Sequence, residues 1–185
     1  MRLTKEVFKN AFIEALKTND LSIYFQKNNH FILIKGNDSS RIVAVELICS
    51  TKNNPEVHGS RNNNTINGIG HFNFTIPKWL DKVNFYVFAF LNTSEKNIEF
   101  VIVPDEVLRT KFQNQNRIPA SNKKAELTLW LMPNRRVYDA TNISMEGEWY
   151  FISIGIAGSR MDDDTEIDYS SYLNNWTGLV DSFSE

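Results

Sequence analysis

The chain has 185 residues, 42% of them apolar and 23% charged, with a formal net charge of −2, a balance that excludes a disordered tail, a fibrous repeat and a chain too small to bury its own core. Its only cysteine, Cys49, excludes an internal disulfide framework. No apolar run approaches the roughly 18 residues needed to span a bilayer, so a cytoplasmic protein without membrane contact is expected.

Val7, Phe8, Ala11, Phe12, Ala15 and Leu16 recur at helical spacing behind Thr4, with Lys5, Lys9, Glu14 and Lys17 turned outward. This predicts a helix capped by Thr4 and ending near Asn19-Asp20. Leu21 to Phe25 is a short apolar stretch, Lys27-Asn28-Asn29 a turn, and His30 to Lys35 a strand. Gly36-Asn37-Asp38-Ser39-Ser40 supplies the turn residues that close a hairpin into the next strand.

That next strand, Arg41-Ile42-Val43-Ala44-Val45-Glu46-Leu47-Ile48-Cys49-Ser50, is the most informative stretch of the chain. A period of two puts Val43, Val45, Leu47 and Cys49 on one face and Ile42, Ala44, Glu46 and Ile48 on the other. Both faces are apolar except at Glu46, which is the pattern of a central strand covered on both sides. A carboxylate in such a place is costly unless hydrogen-bonded, paired or bound to a metal, so Glu46 is either a site residue or a strand-end residue reaching water. Ile48 is expected in the core, and Cys49 is expected to be a small core residue, not a reactive thiol.

Asn53 to Gly70 is polar, rich in Asn and Gly, and reads as a loop in which His58, Arg61 and Asn62-Asn63-Asn64 are candidates for a binding edge. His58 and His71 have no Cys or acidic neighbour at ligand spacing, which argues against a zinc site. His71 to Ile76, Asn84 to Leu91 and Ile98 to Val103 read as strands, and Pro104-Asp105-Glu106 opens a helix to about Phe112. A basic, polar loop leads to Lys124. Ala125 to Met132 and Gly147 to Ile154 are further strands, and Asp168 to Leu179 reads as a short helix pinning Tyr172, Leu173, Trp176 and Leu179 on the body. Asp162, Asp164, Glu166 and Asp168 alternate as a calcium loop begins, but the glycine and glutamate such a loop needs are missing, so a solvated acidic loop is expected.

Charge is segregated. Residues 109–136 hold seven basic side chains against Glu126 alone, a net of +6, whereas residues 137–185 hold ten acids against Arg160, a net of −9. Two readings follow: the segments pair with each other, or the basic one meets an anionic partner. For the second, Lys123, Lys124, Arg135 and Arg136, with Arg61 in the loop, are the candidate contacts. Phe112 and Trp130 are too few for stacking on single strands, so contact with the backbone of duplex DNA is the expected mode.

The order of parts (helix, hairpin, buried strand with Glu46, loop, strand, buried strand, strand, Pro-Asp-Glu helix, and an Asn-Asn-Trp end at Trp176) resembles the PD-(D/E)XK, or restriction-endonuclease-like, superfamily. The resemblance covers most of residues 4–112 together with the Trp176 end. It implies a single α/β domain over residues 1–185, with a mixed central sheet of roughly five strands flanked by helices. In that family a hairpin carries an Asp and the following strand carries Glu-x-Lys in a stretch similar to Val43-Ala44-Val45-Glu46. Residues i and i+2 of a strand point the same way, so a carboxylate and an ammonium converge there. The carboxylates hold Mg²⁺, which orients a phosphate and activates a water.

By this resemblance Glu46 is the second acid of a catalytic and metal site. The i+2 position is Ile48, and His30 and Phe31 stand where the first acid enters, leaving Asp38 in the turn as its substitute and Lys35 or Lys52 as a migrated ammonium. Glu14 is read as a solvated face residue and Pro104-Asp105 as a helix start. The resemblance therefore implies a pseudoenzyme of restriction or defence type that associates with DNA with little or no cleavage, needing Mg²⁺ only if active. One alternative is an active Mg²⁺-dependent endonuclease with a migrated lysine. Another is a protein-interaction module on the same fold, binding a protein partner or a second copy of the chain.

Overall fold

In a computed structural model of the chain, the residues described are 3–28, 30–51, 66–76, 83–119, 124–141 and 167–184. The chain opens with helix α1 (Lys5–Thr18), whose buried residues Phe8, Phe12 and Leu16 recur every four positions and lay one stripe on the sheet. The strands are β1 (Leu21–Gln26), β2 (Phe31–Gly36), β3 (Ile42–Cys49), β4 (Gly68–Phe74), β5 (Phe85–Asn92), β6 (Asn97–Pro104), β7 (Ala125–Leu131) and β8 (Val137–Asp139). Helix α2 (Asp105–Asn114) follows β6, and a 3-10 turn (Ser170–Tyr172) and helix α3 (Trp176–Asp181) close the described chain.

These strands form one mixed, hydrogen-bonded network in the order β1-β2-β3-β5-β4-β7-β8, with β6 also on β5. Only β3 and β5 run parallel. β5 pairs β3 from Phe85 to Ala89 and β6 along its whole length, but touches β4 only where Asn92 meets Gly68. The molecule is therefore a five-strand sheet, β1-β2-β3-β5-β6, with a β4-β7-β8 arm that branches at the end of β5 and folds back over one face. Phe72 and Phe74 of the arm meet Phe88 edge-on, with ring centroids 5.1 and 5.2 Å apart.

Two apolar layers result. On one face Val43, Val45, Leu47, Val87 and Ile102 pack against α1 and Leu179 of α3. On the other Ile48, Tyr86, Phe88, Phe90, Val101 and Val103 pack against the arm and against Leu108 and Phe112 of α2. The alternation read from the sequence of β3 thus divides its residues between the two layers as expected. Ile48 is 6% exposed. Cys49 is half-buried on the α1 side, and burial pushes its thiol up to about 11 despite a smaller lowering by Lys5.

Eight strands stand where a sheet of about five was expected: β1, read only as a short apolar stretch, and the three-residue β8 were not read as strands, β7 extends the same sheet, and β4 begins earlier than expected. Gly68 and Gly70 read as loop residues but belong to β4. A Cβ on Gly68 would meet the Leu91 carbonyl oxygen at 2.6 Å, and one on Gly70 would collide with the Phe72 ring. Gly68 marks a close approach of two backbones, and Gly70 leaves room for the Phe72 ring to lie over its own strand.

The expected helix from Asp168 to Leu179 is interrupted. Leu173 bridges to Val101, the Asn174 N–H donates to the Phe100 carbonyl at 2.6 Å, and the Phe100 N–H donates to Asn174 Oδ1 at 3.0 Å. Asn174 takes a φ of 50° to make this turn. The segment caps the outer edge of β6, after which Trp176 packs on Phe12 and Phe100. The expected strand at 147–154 lies outside the described residues. Among the described residues no helix is long and apolar enough to cross a membrane.

Candidate functional site

Glu46 sits in the middle of the main sheet, directly across from Phe31 of β2 on one side and Tyr86 of β5 on the other. Along its own strand its same-face neighbours are Ala44 and Ile48, both buried. This apolar frame pushes the Glu46 carboxyl up to about 7, with burial as the cause. Among the described residues it has no ion-pair or hydrogen-bonding partner. Tyr86 shares the setting. Its buried hydroxyl makes no hydrogen bond of good geometry among the described residues. Its acidity is weakened by burial first, then by the nearby carboxylates of Asp105 and Glu46. Asp105 is itself held by Arg109 at 2.7 Å, one turn along α2.

Of the residues expected to complete a metal site, Asp38 and Lys35 are placed away from Glu46. Asp38 lies in the turn beyond β2, beside a groove of about 540 Å³ lined also by Asn19, Asp20, Val180 and Phe183, at the far end of β3 from Glu46. Lys35 is on the same face as Glu46 but opposite Ile42, four residues along β3. That offset is about 13 Å. Lys52 lies outside the described residues. Ile48, at the position of the family's ammonium, is in the core. Among the described residues no three His, Cys, Asp or Glu side chains converge as a metal site. Glu14 is exposed and pairs with Lys17 at 2.8 Å, as a solvated face residue does.

The basic segment is largely engaged within the chain. Both arms of Arg135 bond the Glu99 carboxylate at 3.1 Å, and Arg136 bonds Asp168 at 3.1 Å while lying 5.1 Å over the Tyr138 ring. Arg117 bonds Asp139 and covers the Phe112 ring at 4.5 Å, and the buried Lys111 lies 5.1 Å from the Tyr169 ring. With Arg109 on Asp105, internal contacts occupy Arg109, Lys111, Arg117, Arg135 and Arg136. Of the other expected nucleic-acid contacts, Lys124 is exposed, and Lys123 and Arg61 lie outside the described residues.

Glu99 was not singled out in the sequence, although it presents the same signal as Glu46, a lone acid in an apolar strand. Burial alone would raise its pKa, yet hydrogen bonds from Arg135, Asn92 and Asn174 outweigh burial and hold it below the usual carboxylate value. One buried glutamate is therefore a satisfied anion that ties β6 to the β7–β8 turn and to the C-terminal segment. The other is a carboxyl among rings and aliphatic chains.

A second feature adjoins Glu46. The arm and α2 cover the β5–β6 side of its face, but toward β1 the rows Phe25-Leu33-Ala44 and Lys35-Ile42 include side chains left in water: Phe25 is 54% exposed and Ile42 41%. No protein-family model matches the chain, and neither does any curated protein or solved structure compared with it.

Proposed function

We propose that the chain is a restriction-endonuclease-like domain whose metal site is eroded, serving as a binding module of restriction or defence type and not as a hydrolase. The observation that carries this is the frame around Glu46: Phe31 across from it and Ile48 two residues on, where a second carboxylate and an ammonium would have to converge. A single carboxyl with a pKa near 7 and no anionic neighbour on its face of β2 or β3 is a poor ligand for Mg²⁺, which binds through ionised oxygens. The alternative of an active endonuclease with Lys35 as migrated ammonium has the Lys35 offset against it, and Lys52 lies outside the described residues.

Protein contact is the form of binding that the geometry favours. The open apolar rows around Leu33 are of the kind that marks interaction surfaces, while most of the basic segment is spent on internal pairs. Association with duplex DNA would rest on Lys124, Lys123 and Arg61. The test is incubation of plasmid and linear DNA with the full chain at millimolar Mg²⁺ and Mn²⁺. No cleavage is expected, and cleavage abolished by Glu46→Ala would overturn the proposal.

A further inference from the structure

We infer that two copies of this chain associate face to face through the open half of the main sheet, with Lys35 of each copy set against Glu46 of the other. The inference rests on reading Glu46 as a non-catalytic carboxyl and names the partner that its face fits.

The surface is built from cross-strand rows on one face, in which Phe25 and Ile42 are exposed, Phe31, Leu33, Lys35 and Glu46 half-buried, and Ala44 buried at the floor between them. Phe25 pairs with Leu33 and Leu33 with Ala44, flanked by Lys35 with Ile42 on one side and Phe31 with Glu46 on the other. Opposite charges thus stand on adjacent strands at the two ends of an apolar centre. Neither Lys35 nor Glu46 has an ion-pair partner among the described residues. Their separation of about 13 Å is too long for a bond within one copy.

A two-fold axis lying in the interface, nearly perpendicular to the strands and passing between Leu33 and Ala44, carries Lys35 onto Glu46 of the second copy and Glu46 onto its Lys35. Isologous symmetry requires such reciprocity, and this patch supplies it without any other residue. The same operation leaves the strands of the two sheets crossing near the roughly 30° of aligned sheet packing, at a spacing of about 10 Å that a lysine and a glutamate side chain bridge together. The apolar centre would supply the affinity and the charge pair the register. The β1 edge fits a face-to-face mode better than edge pairing, because the bulge between Ile23 and Phe25 interrupts its ladder and leaves Tyr24 62% exposed there.

Sedimentation equilibrium of the full chain over a micromolar concentration series tests this. The wild type is expected to dimerise. Lys35→Glu and Glu46→Lys should each weaken association at least about tenfold by setting like charges together, and the double variant carrying both should restore it. Phe25→Ser, at a position 54% exposed, should also weaken it, which keeps the test valid if a charge reversal fails to fold. A wild type that stays monomeric, or a dimer indifferent to Phe25→Ser and to both reversals, overturns the inference. Assaying the same samples for DNA hydrolysis keeps the two proposals apart: cleavage would sink the non-catalytic reading, and a monomer would sink the dimer alone.

Discussion

Phe31 and Glu46 stand directly across from one another on β2 and β3, so a phenyl ring occupies the place from which a second carboxylate would reach a metal beside Glu46. With Tyr86 on the other side and Ile48 along the strand, the carboxyl is framed by apolar carbon and by a phenol that cannot help to neutralise it. Its chemistry is set by desolvation.

This gives a pH dependence with a definite sign. The Glu46 pKa rises from 4.5 to about 7 on folding, so between those values the folded chain binds more protons than the unfolded one and stability falls as pH rises. The penalty is absent below the lower value and complete above the upper. It amounts to about 1–2 kcal/mol once partial exposure is allowed for. Glu99 and Asp168 act oppositely: their lowered pKa values stabilise the fold above the ordinary carboxylate range, and that contribution is lost in acid. Melting temperature should therefore peak on the acidic side of neutrality. On a Phe25→Ser background, chosen to weaken the proposed self-association, Glu46→Gln should raise the melting temperature at pH 8 and leave it little changed at pH 5. An equal effect at both would refute the assignment.

Ile48 is core. Truncation to alanine should cost on the order of 2–5 kcal/mol in denaturant unfolding. A loss below about 1 kcal/mol would mean that the side chain borders a wet cleft, and would reopen the case for a working site.

Arg135→Ala should destabilise the chain by about 1–3 kcal/mol, because it strips the buried Glu99 of its cation while Asn92 and Asn174 remain. Replacing Glu99 by Gln together with Arg135→Ala should recover part of that loss. If Arg135→Ala leaves the unfolding midpoint where it was, the network does not hold the fold.

The basic segment divides in a testable way. Arg135→Glu with Arg136→Glu should lower the melting temperature by breaking the contacts to Glu99 and Asp168. Lys123→Glu with Lys124→Glu should leave it unchanged. Fluorescence anisotropy with a duplex should show weak binding at most, reduced by the lysine pair and made less salt-dependent. Strong binding untouched by the lysine pair would move the DNA surface elsewhere on the chain.

Local signals were enough for several elements: helical spacing placed α1, the period of two in β3 put Ile48 and Glu46 on one face, an unbroken apolar run marked β5, and Pro104 followed by two acids marked the start of α2. Gly68 and Gly70 misled, since a glycine that ends a strand looks like one inside it until its neighbours are known, here the Leu91 carbonyl for Gly68 and the Phe72 ring for Gly70. The ion pairs were hidden for a similar reason. Arg135 and Glu99 are far apart in sequence, and only the meeting of β6 with the turn after β7 joins them. The segregated charges left two readings open, pairing within the chain or an external partner; Arg117 and Arg136 do pair with Asp139 and Asp168 of the acidic segment, whereas Arg109 and Arg135 take Asp105 and Glu99 from outside it.

The most direct test of the account is the titration of the Glu46 carboxyl by NMR, in the Phe25→Ser background, with and without millimolar Mg²⁺. The account predicts a midpoint near 7 that the metal does not move. A midpoint in the ordinary carboxylate range would contradict it, because Glu46 would then be solvated or paired with a cation, and so would one driven down by Mg²⁺, because the carboxyl would then be a metal ligand; neither fits the apolar frame of Phe31, Tyr86 and Ile48.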